Sequence, residues 1–509
     1  MSCEPTEKFL LTKILATLGP ASSEESTVTQ MVEAGVRCFR LNFSHGSFSE
    51  HRRSLENVRK ASEKTGIPVG VLGDLCGPKI RLGKLAGTGV TLERGMRVEF
   101  NKSRPFGETG SNPGSATTVL STTYPGFIEE VNPGERILLD DGKLELTCLE
   151  KRGVAERETL ICEVIRGGQV ISGKGINLPD TRITVPALTD KDRESVRFAV
   201  ENGVDYLALS FVRSAQDVVQ LNDCIRQLGA ESQIPVISKI EKPQALEQIE
   251  AILDVSDGIM VARGDLGVEM DLAEVPVIQK KIIRLCHDYG KPAIVATQML
   301  ESMIESPTPT RAEVSDVANA IFDGTDAVML SGETAVGRWP VESVQVMNRV
   351  ASCTNAFLKS QPLHIAAPRK LRESKYRTAA LAHGVSTIVR DLDAKLIVMW
   401  ATLDRSALYL SRYRLSRPIL AFSANPIALR RMCIGYGLTP LCMEEPASAG
   451  EFICRVDALL MERGWVDRGD PIVFVFGEPI GQPEMTNRLS VHYVGDASDF
   501  FGHQMPDRS

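Results

Sequence analysis

At 509 residues the chain is too long for one hydrophobic core, so about two to four domains are expected, and its 43% hydrophobic and 24% charged content is that of an ordinary soluble globular protein. A net charge of −7 with no basic block argues against nucleic acid as a partner, and no stretch approaches the roughly 20 apolar residues of a transmembrane helix. The eleven cysteines are scattered without a C-x-x-C pair, the seven histidines form no ligand-spaced cluster, and MSCEPTEKFLLTK carries no apolar leader, so the reading is a cytoplasmic protein with reduced thiols and no zinc site.

In chain order, short runs of β type alternate with helical patterns. Lys13–Pro20 (KILATLGP), Cys38–His45 (CFRLNFSH) and Pro68–Leu75 (PVGVLGDL) come first; Tyr206–Val212 (YLALSFV), Pro235–Glu241 (PVISKIE), Gly258–Asp265 (GIMVARGD), Pro292–Met299 (PAIVATQM) and Ala327–Glu333 (AVMLSGE) follow. That makes eight, the number that closes a (β/α)₈ TIM barrel. Ser22-x-x-Glu25, Ser214-x-x-Asp217 and Thr310-x-x-Glu313 match capping boxes that open the intervening helices. Gly35, Gly203, Gly290 and Gly324 stand where those helices should stop.

The segment 79–180 between the third and fourth runs has another texture. Pro125-Gly126, Pro133-Gly134, Asp141-Gly142 and Gly167-Gly168 mark turns, and ERILLDDGKLELTCLE reads as a hairpin turning at Asp141-Gly142. This predicts a small β-barrel inserted as a lid over the mouth of a barrel made of 1–78 and 181–355. A polar linker over 360–377 then leads into an α/β domain, within 356–509, with strands at 396–402, 418–423, 471–477 and 488–494. The chain ends soon after the last of these, so no additional phosphotransfer domain is expected.

The ends of the barrel runs collect one kind of equipment. Arg40, Asn42 and Ser44 alternate and share a face; Asp74 closes the third run, Ser210 falls in the fourth, and Thr297 near the end of the seventh. Lys239, Glu241, Arg263 and Asp265 close the fifth and sixth, where a parallel barrel keeps its chemistry. Arginine and lysine suit phosphate, carboxylates suit a divalent cation, and Asn, Ser and Asp oxygens suit a monovalent one. Gly264, Asp265 and Gly267 should open a short helix whose free N–H groups can hold a carboxylate. Singly, each residue has a plain structural reading: a rim salt bridge for Arg40, a helix cap for Ser44, strand packing for Thr297. Their convergence on one rim is what points to a site. By contrast Gly168–Gly175 (GQVISGKG) misses the phosphate-loop pattern at its last position and lies among turns, so it is rejected as a P-loop, with Lys174 kept as a phosphate contact.

Taken together, RLNFSHG (40–46), DLCGPKIR (74–81), KGINLP (174–179), SKIEKP (238–243), MVARGDLGVE (260–269), ATQMLESM (296–303), PTRAEVSDVANA (309–320) and DGTDAVMLSGETA (323–335) resemble the pyruvate kinase family over nearly the whole chain. The resemblance implies a barrel, a lid and a C-terminal regulatory domain, a homotetramer, and the reaction of phosphoenolpyruvate with ADP to give pyruvate and ATP. It implies Mg²⁺ (or Mn²⁺) on Glu241 and Asp265, Lys239 against the phosphoryl group in flight, and Arg40 on the substrate phosphate. The backbone of Gly264-Asp265 should take the substrate carboxylate, and Thr297 should line the face where enolpyruvate is protonated. Arg81 and Lys174, with Asn42, should reach the nucleotide. Asn42, Ser44, Asp74 and the carbonyl of Leu75 match a K⁺ site, but Lys79 stands where many relatives have Glu. Lys79 therefore supplies the cation itself and K⁺ is dispensable, or else it points to solvent or pairs with a lid carboxylate. In ATLDRSA (401–407), Thr402, Arg405 and Ser406 stand where the family binds a sugar-phosphate effector, but the loop is a residue shorter and places Asp404 where the anion should sit. Two other readings share part of the pattern. One is a Mg-dependent phosphoenolpyruvate or pyruvate lyase, which needs no lid; the other is a catalytically silent sugar-phosphate sensor, which should lack Lys239, Glu241 or Asp265.

Overall fold

A computed structural model describes residues 9–85, 88–101, 118–153, 158–229, 234–361, 368–373, 377–483 and 485–496. Eight parallel strands close a barrel: β1 (Lys13–Thr17), β2 (Val36–Asn42), β3 (Gly70–Asp74), β4 (Tyr206–Leu209), β5 (Val236–Ile240), β6 (Gly258–Ala262), β7 (Ala293–Ala296) and β8 (Ala327–Leu330), with β8 hydrogen-bonded back to β1. Each coincides with one of the eight runs read from sequence. Period two divides their side chains. Leu15, Cys38, Leu72, Tyr206, Ile237, Met260 and Met329 fill the interior, while Ile14, Phe39, Val71, Val236, Ile259 and Val328 face the ring of helices.

Helix starts follow the capping rule in part. Ser214 and Thr310 head capping boxes with Asp217 and Glu313, as do Ser47 with Glu50 and Thr189 with Asp192, two that the sequence reading missed. Ser22 does not cap: the first helix is Glu25–Ala34, its N-cap is Glu24, and the Ser22 hydroxyl is buried and accepts the Gly19 N–H instead. Gly35 and Gly290 do end helices, at φ 126° and 68°.

Between β3 and β4 a separate hydrophobic core gathers around Phe100, Phe127, Leu146, Cys162 and Val164. Its strands form a six-stranded sheet and a two-stranded ribbon. The hairpin of Arg136–Leu139 with Leu144–Arg152 turns through Asp140, Asp141 and Gly142, all at positive φ. The two ends of the insertion come together where Arg81 bridges to Gly175, and Ile176–Asn177 pairs with Arg136–Leu139 within its sheet.

The predicted polar linker over 360–377 is described at 360–361, 368–373 and 377, where Arg369–Glu373 forms a short helix. Beyond it, a five-stranded sheet runs in the order Leu438–Cys442, Ile419–Ser423, Leu396–Trp400, Pro471–Gly477, Thr486–Tyr493, parallel except for the last. Leu438–Cys442 was not predicted. Its Pro440 argues against a strand, and an edge position is where a sheet tolerates proline. This domain packs under the barrel, where Ile434 joins the interior core.

Candidate active site at the C-terminal rim

The strand ends place Arg40, Asp74, Lys239 and Glu241 in one buried chain of charges. Asp74, 1% exposed, accepts from Arg40 Nε at 2.7 Å through Oδ2 and faces the Lys239 ammonium at 3.3 Å through Oδ1. Lys239 Nζ also donates to Ser210 Oγ at 2.8 Å and meets Glu241 Oε1 at 2.8 Å. Glu241 Oε2 accepts the Phe211 N–H at 2.7 Å. Phe211 holds φ at 56°, which turns that amide inward; its ring lies 2.7 Å from where a Cβ on Gly77 (φ 66°) would sit, so only glycine fits there.

Burial and charge act against each other here. Desolvation opposes the Lys239 ammonium, yet Asp74 and Glu241 more than offset it and hold the group above its ordinary value. Desolvation would raise Asp74, but Lys239 and Arg40 keep it below the usual carboxylate range. Glu241 is pushed upward, mainly by burial and further by Asp265, against the pull of Lys239. A buried carboxylate short of positive charge is what a divalent cation satisfies. Among the described residues no three His, Cys, Asp or Glu side chains are arranged around one metal position. Glu241 and Asp265, the second raising the first by its charge, are the carboxylates that could hold such an ion.

Asp265 lies in a short rim helix, Arg263–Glu269. Arg263 anchors its start by donating to the carbonyls of Thr297 at 2.8 Å and Gln298 at 3.2 Å and to Asp316 at 2.6 Å. Thr297, at φ 70°, accepts the Gly264 N–H at 2.7 Å and donates its hydroxyl proton to the Ala296 carbonyl at 2.6 Å. The structure therefore unites Gly264 and Thr297 in one contact that the sequence reading treated as two separate sites.

Asn42 Oδ1 accepts the Ser44 N–H at 3.1 Å, and the Leu75 carbonyl accepts from Ser210 Oγ at 2.7 Å. Lys79 is exposed and lines an open cleft of about 530 Å³ between rim and insertion, shared with Asp141, Asn177, Arg213, Lys242 and Asp265. Burial first, then the positive charges of Lys79, Arg81, Arg40 and Lys191, depress the His45 imidazole, so this side of the mouth favours anions. Across it, Lys174 pairs with Asp140 at 2.7 Å and Arg81 Nη1 donates to the Gly173 carbonyl at 3.0 Å.

A second cavity, small and open to solvent, lies in the C-terminal domain between Trp400, Thr402, Ser406, Gly477, Gly481 and Thr486. Trp400 Nε1 is buried there without a hydrogen-bond acceptor among the described residues. Thr402 and Ser406 stand where the sequence placed them, but Arg405 does not line the cavity. Its charge acts on Lys291 and Asp404, at the base of the barrel.

Comparison with known proteins gives two family matches, the pyruvate kinase barrel domain over residues 10–344 and the pyruvate kinase alpha/beta domain over 379–492. The chain is 42% identical over 485 residues to a pyruvate kinase of Mycobacterium intracellulare, covering 95% of this chain and 98% of that protein. It is 39% identical over 487 residues to one of Bacillus licheniformis, covering 95% and 80%. Among solved structures, a pyruvate kinase from Cryptosporidium parvum superposes with a TM-score of 0.85 at 32% identity, covering 95% of this chain and 96% of that one.

Proposed function

The chain belongs to the pyruvate kinase family, and from that premise, with phosphoryl transfer from phosphoenolpyruvate to ADP as its activity, we infer the part each rim residue plays. The carrying observation is the unbroken chain Arg40–Asp74–Lys239–Glu241, two cations held in place by carboxylates at the mouth of the barrel. Arg40, oriented by Asp74 and by its 3.2 Å bond to Thr17, takes the substrate phosphate. Lys239, fixed by three oxygens, meets the phosphoryl group midway, where charge spreads over its equatorial oxygens and positioning is most of the catalysis. A Mg²⁺ or Mn²⁺ ion bound by Glu241 and Asp265 would supply the charge that stabilises the enolate oxygen and the phosphoryl group.

The substrate carboxylate sits on the backbone of Gly264-Asp265. The Gly264 N–H is already bonded to Thr297, so that hydroxyl must yield as the substrate arrives. Because the Thr297 proton is committed to a carbonyl, the proton that completes pyruvate reaches the enolate through water along that face. Asn42, Arg81 and Lys174 bind the nucleotide from the mouth and the lid. The lid contacts and the presence of Lys239, Glu241 and Asp265 favour this over the lyase and silent-sensor readings.

Asp74 is already shared between two cations and the Leu75 carbonyl is already bonded, while the Lys79 charge reaches the neighbourhood of His45. Lys79 is exposed and makes no hydrogen bond to Asn42, Ser44, Asp74 or Leu75 among the described residues, so its role as an internal substitute for K⁺ rests on its charge at the mouth beside His45. The C-terminal cavity is read as a sugar-phosphate effector site using Thr402 and Ser406, and assembly as a homotetramer. No helix among the described residues is long and apolar enough to cross a membrane.

The test is pyruvate formation from phosphoenolpyruvate, ADP and Mg²⁺ with choline replacing K⁺. Full turnover is expected, and Lys79→Glu should create a K⁺ requirement. Turnover only after K⁺ is added removes Lys79 from the mechanism; no turnover in either buffer refutes the activity.

A further inference from the structure

At the end of the rim helix, on the wall of the same cleft, lies an ion pair that the mechanism above does not use. Lys242, the residue after Glu241, is 5% exposed and meets Glu269 Oε1 at 2.5 Å. Glu269 is the last residue of the rim helix, one turn beyond Asp265. Asn177, in the strand that joins the lid to the barrel, donates its side-chain N–H to the same Oε1 at 2.8 Å. The other oxygen, Oε2, is buried with no partner among the described residues.

As a stability device this arrangement is poor. Two buried charges lose more hydration than a single contact returns, a carboxylate at a helix C-terminus opposes the helix dipole, and one lone pair set is left unmet. As a positioning device it is well placed. The rim helix spans only seven residues and its N-cap, Ala262, offers no side-chain cap, so tertiary contacts must hold it. Arg263 fixes its start; Lys242 and Asn177 fix its end. Lys242 follows Glu241 directly, so the pair ties the chain just after the strand Val236–Ile240 to the helix that carries Asp265.

We propose that Lys242, Glu269 and Asn177 form a three-point clamp that sets the separation of Glu241 and Asp265 and ties that separation to the lid. Lys242 and Glu269 are positioning residues for the divalent cation, and Asn177 is the lid's attachment to them; the proposal rests on the phosphotransfer reading of the rim. Loss of the Lys242–Glu269 contact should lower cation affinity, and loss of the Asn177–Glu269 contact should loosen the lid.

The experiment measures Mn²⁺ binding by calorimetry and backbone hydrogen exchange in the full chain, neither of which needs turnover. Glu269→Gln and Lys242→Met should each weaken Mn²⁺ binding about tenfold, the usual cost of losing a group that orients a metal ligand, and Lys242→Arg should restore it. Asn177→Ala should speed exchange across 174–178 while leaving Mn²⁺ binding within about twofold. Unchanged Mn²⁺ affinity in folded Glu269→Gln and Lys242→Met overturns the proposal. Should those two fail to fold, unchanged exchange in Asn177→Ala overturns it alone. Pyruvate formation by the unmodified chain, run alongside, reports separately on the phosphotransfer reading.

Discussion

Lys13 opens β1 with its side chain 2% exposed, its ammonium hydrogen-bonded to the Leu10 carbonyl and close to the charge of Arg37. Burial first, and then Arg37, pull it down from an ordinary 10.5 to about 7. In the unfolded chain the group stays protonated up to its ordinary value, whereas in the folded chain the proton is lost near 7. Between those two values the unfolded chain holds the extra proton, so this lysine's contribution to stability rises with pH through the window and is least favourable below it. Lys13→Met should therefore stabilise the chain at pH 6 by on the order of 1–4 kcal/mol, raising its denaturation midpoint, and the gain should fade toward pH 10. Midpoints for both proteins at the two pH values check this; an equal effect at both refutes it. The same scale shows what a sequence displays. Lys239 and Glu241 stood out because charge at the end of an apolar run has few other uses. Phe211 did not, because a phenylalanine at positive φ leaves no trace in residue order, and its contribution to the site is a backbone amide.

For single elements, legibility depended on how local the cause was. Hairpin turns and glycine stops are decided within a few residues and were read correctly. Ser22 failed as a cap because its hydroxyl is drawn into a tight turn with the N–H of Gly19, three residues before it, and the helix starts later, at Glu25. Residues 402–411 show the same effect where function is concerned. The helix Asp404–Ser411 begins directly after Leu403, so Asp404 falls in its first turn, where a negative end suits the dipole. Asp404 is turned toward the barrel base, where burial raises it and Arg431 draws it back down, and Arg405 turns the same way. The cavity is left with hydroxyls, the Gln482 amide and the Trp400 N–H as its side-chain donors. If sugar phosphates bind there, Thr402→Ala should weaken them about tenfold, while Arg405→Ala should leave their affinity within about twofold. Isothermal titration with fructose bisphosphate and with sugar monophosphates measures both; silence from all ligands refutes the effector site, and a loss specific to Arg405→Ala refutes its recognition by neutral donors.

On the scale of the whole molecule, the barrel was legible because eight strands of one texture must find one another. The seam beneath it was not, because its partners are far apart in the chain. Asp205, just before β4, accepts from Arg430 at 2.6 Å and Arg59 at 2.9 Å. Asp326, just before β8, faces Arg412 at 2.9 Å and Arg414 at 3.6 Å, and its other oxygen accepts the Ala293 N–H at 2.8 Å. Arg412 and Asp326 are 2% and 6% exposed, so their attraction is not screened by solvent. Such a pair adds little over an apolar contact, but removing one member leaves the other charge buried and unmatched. Asp326→Ala strands Arg412 on the C-terminal side and also unties the start of β7 from that of β8. The loss should be about 3–5 kcal/mol and should fall on the seam rather than on either core. Calorimetry should then show the C-terminal domain melting ahead of the barrel in Asp326→Ala, where the parent chain melts in a more nearly joint transition. Adding Arg412→Met removes the stranded charge and should recover part of the lost stability without rejoining the two transitions. A single transition at the parent temperature in Asp326→Ala would mean that the apolar contacts around Ile434 carry the coupling, and that these ion pairs only decorate it.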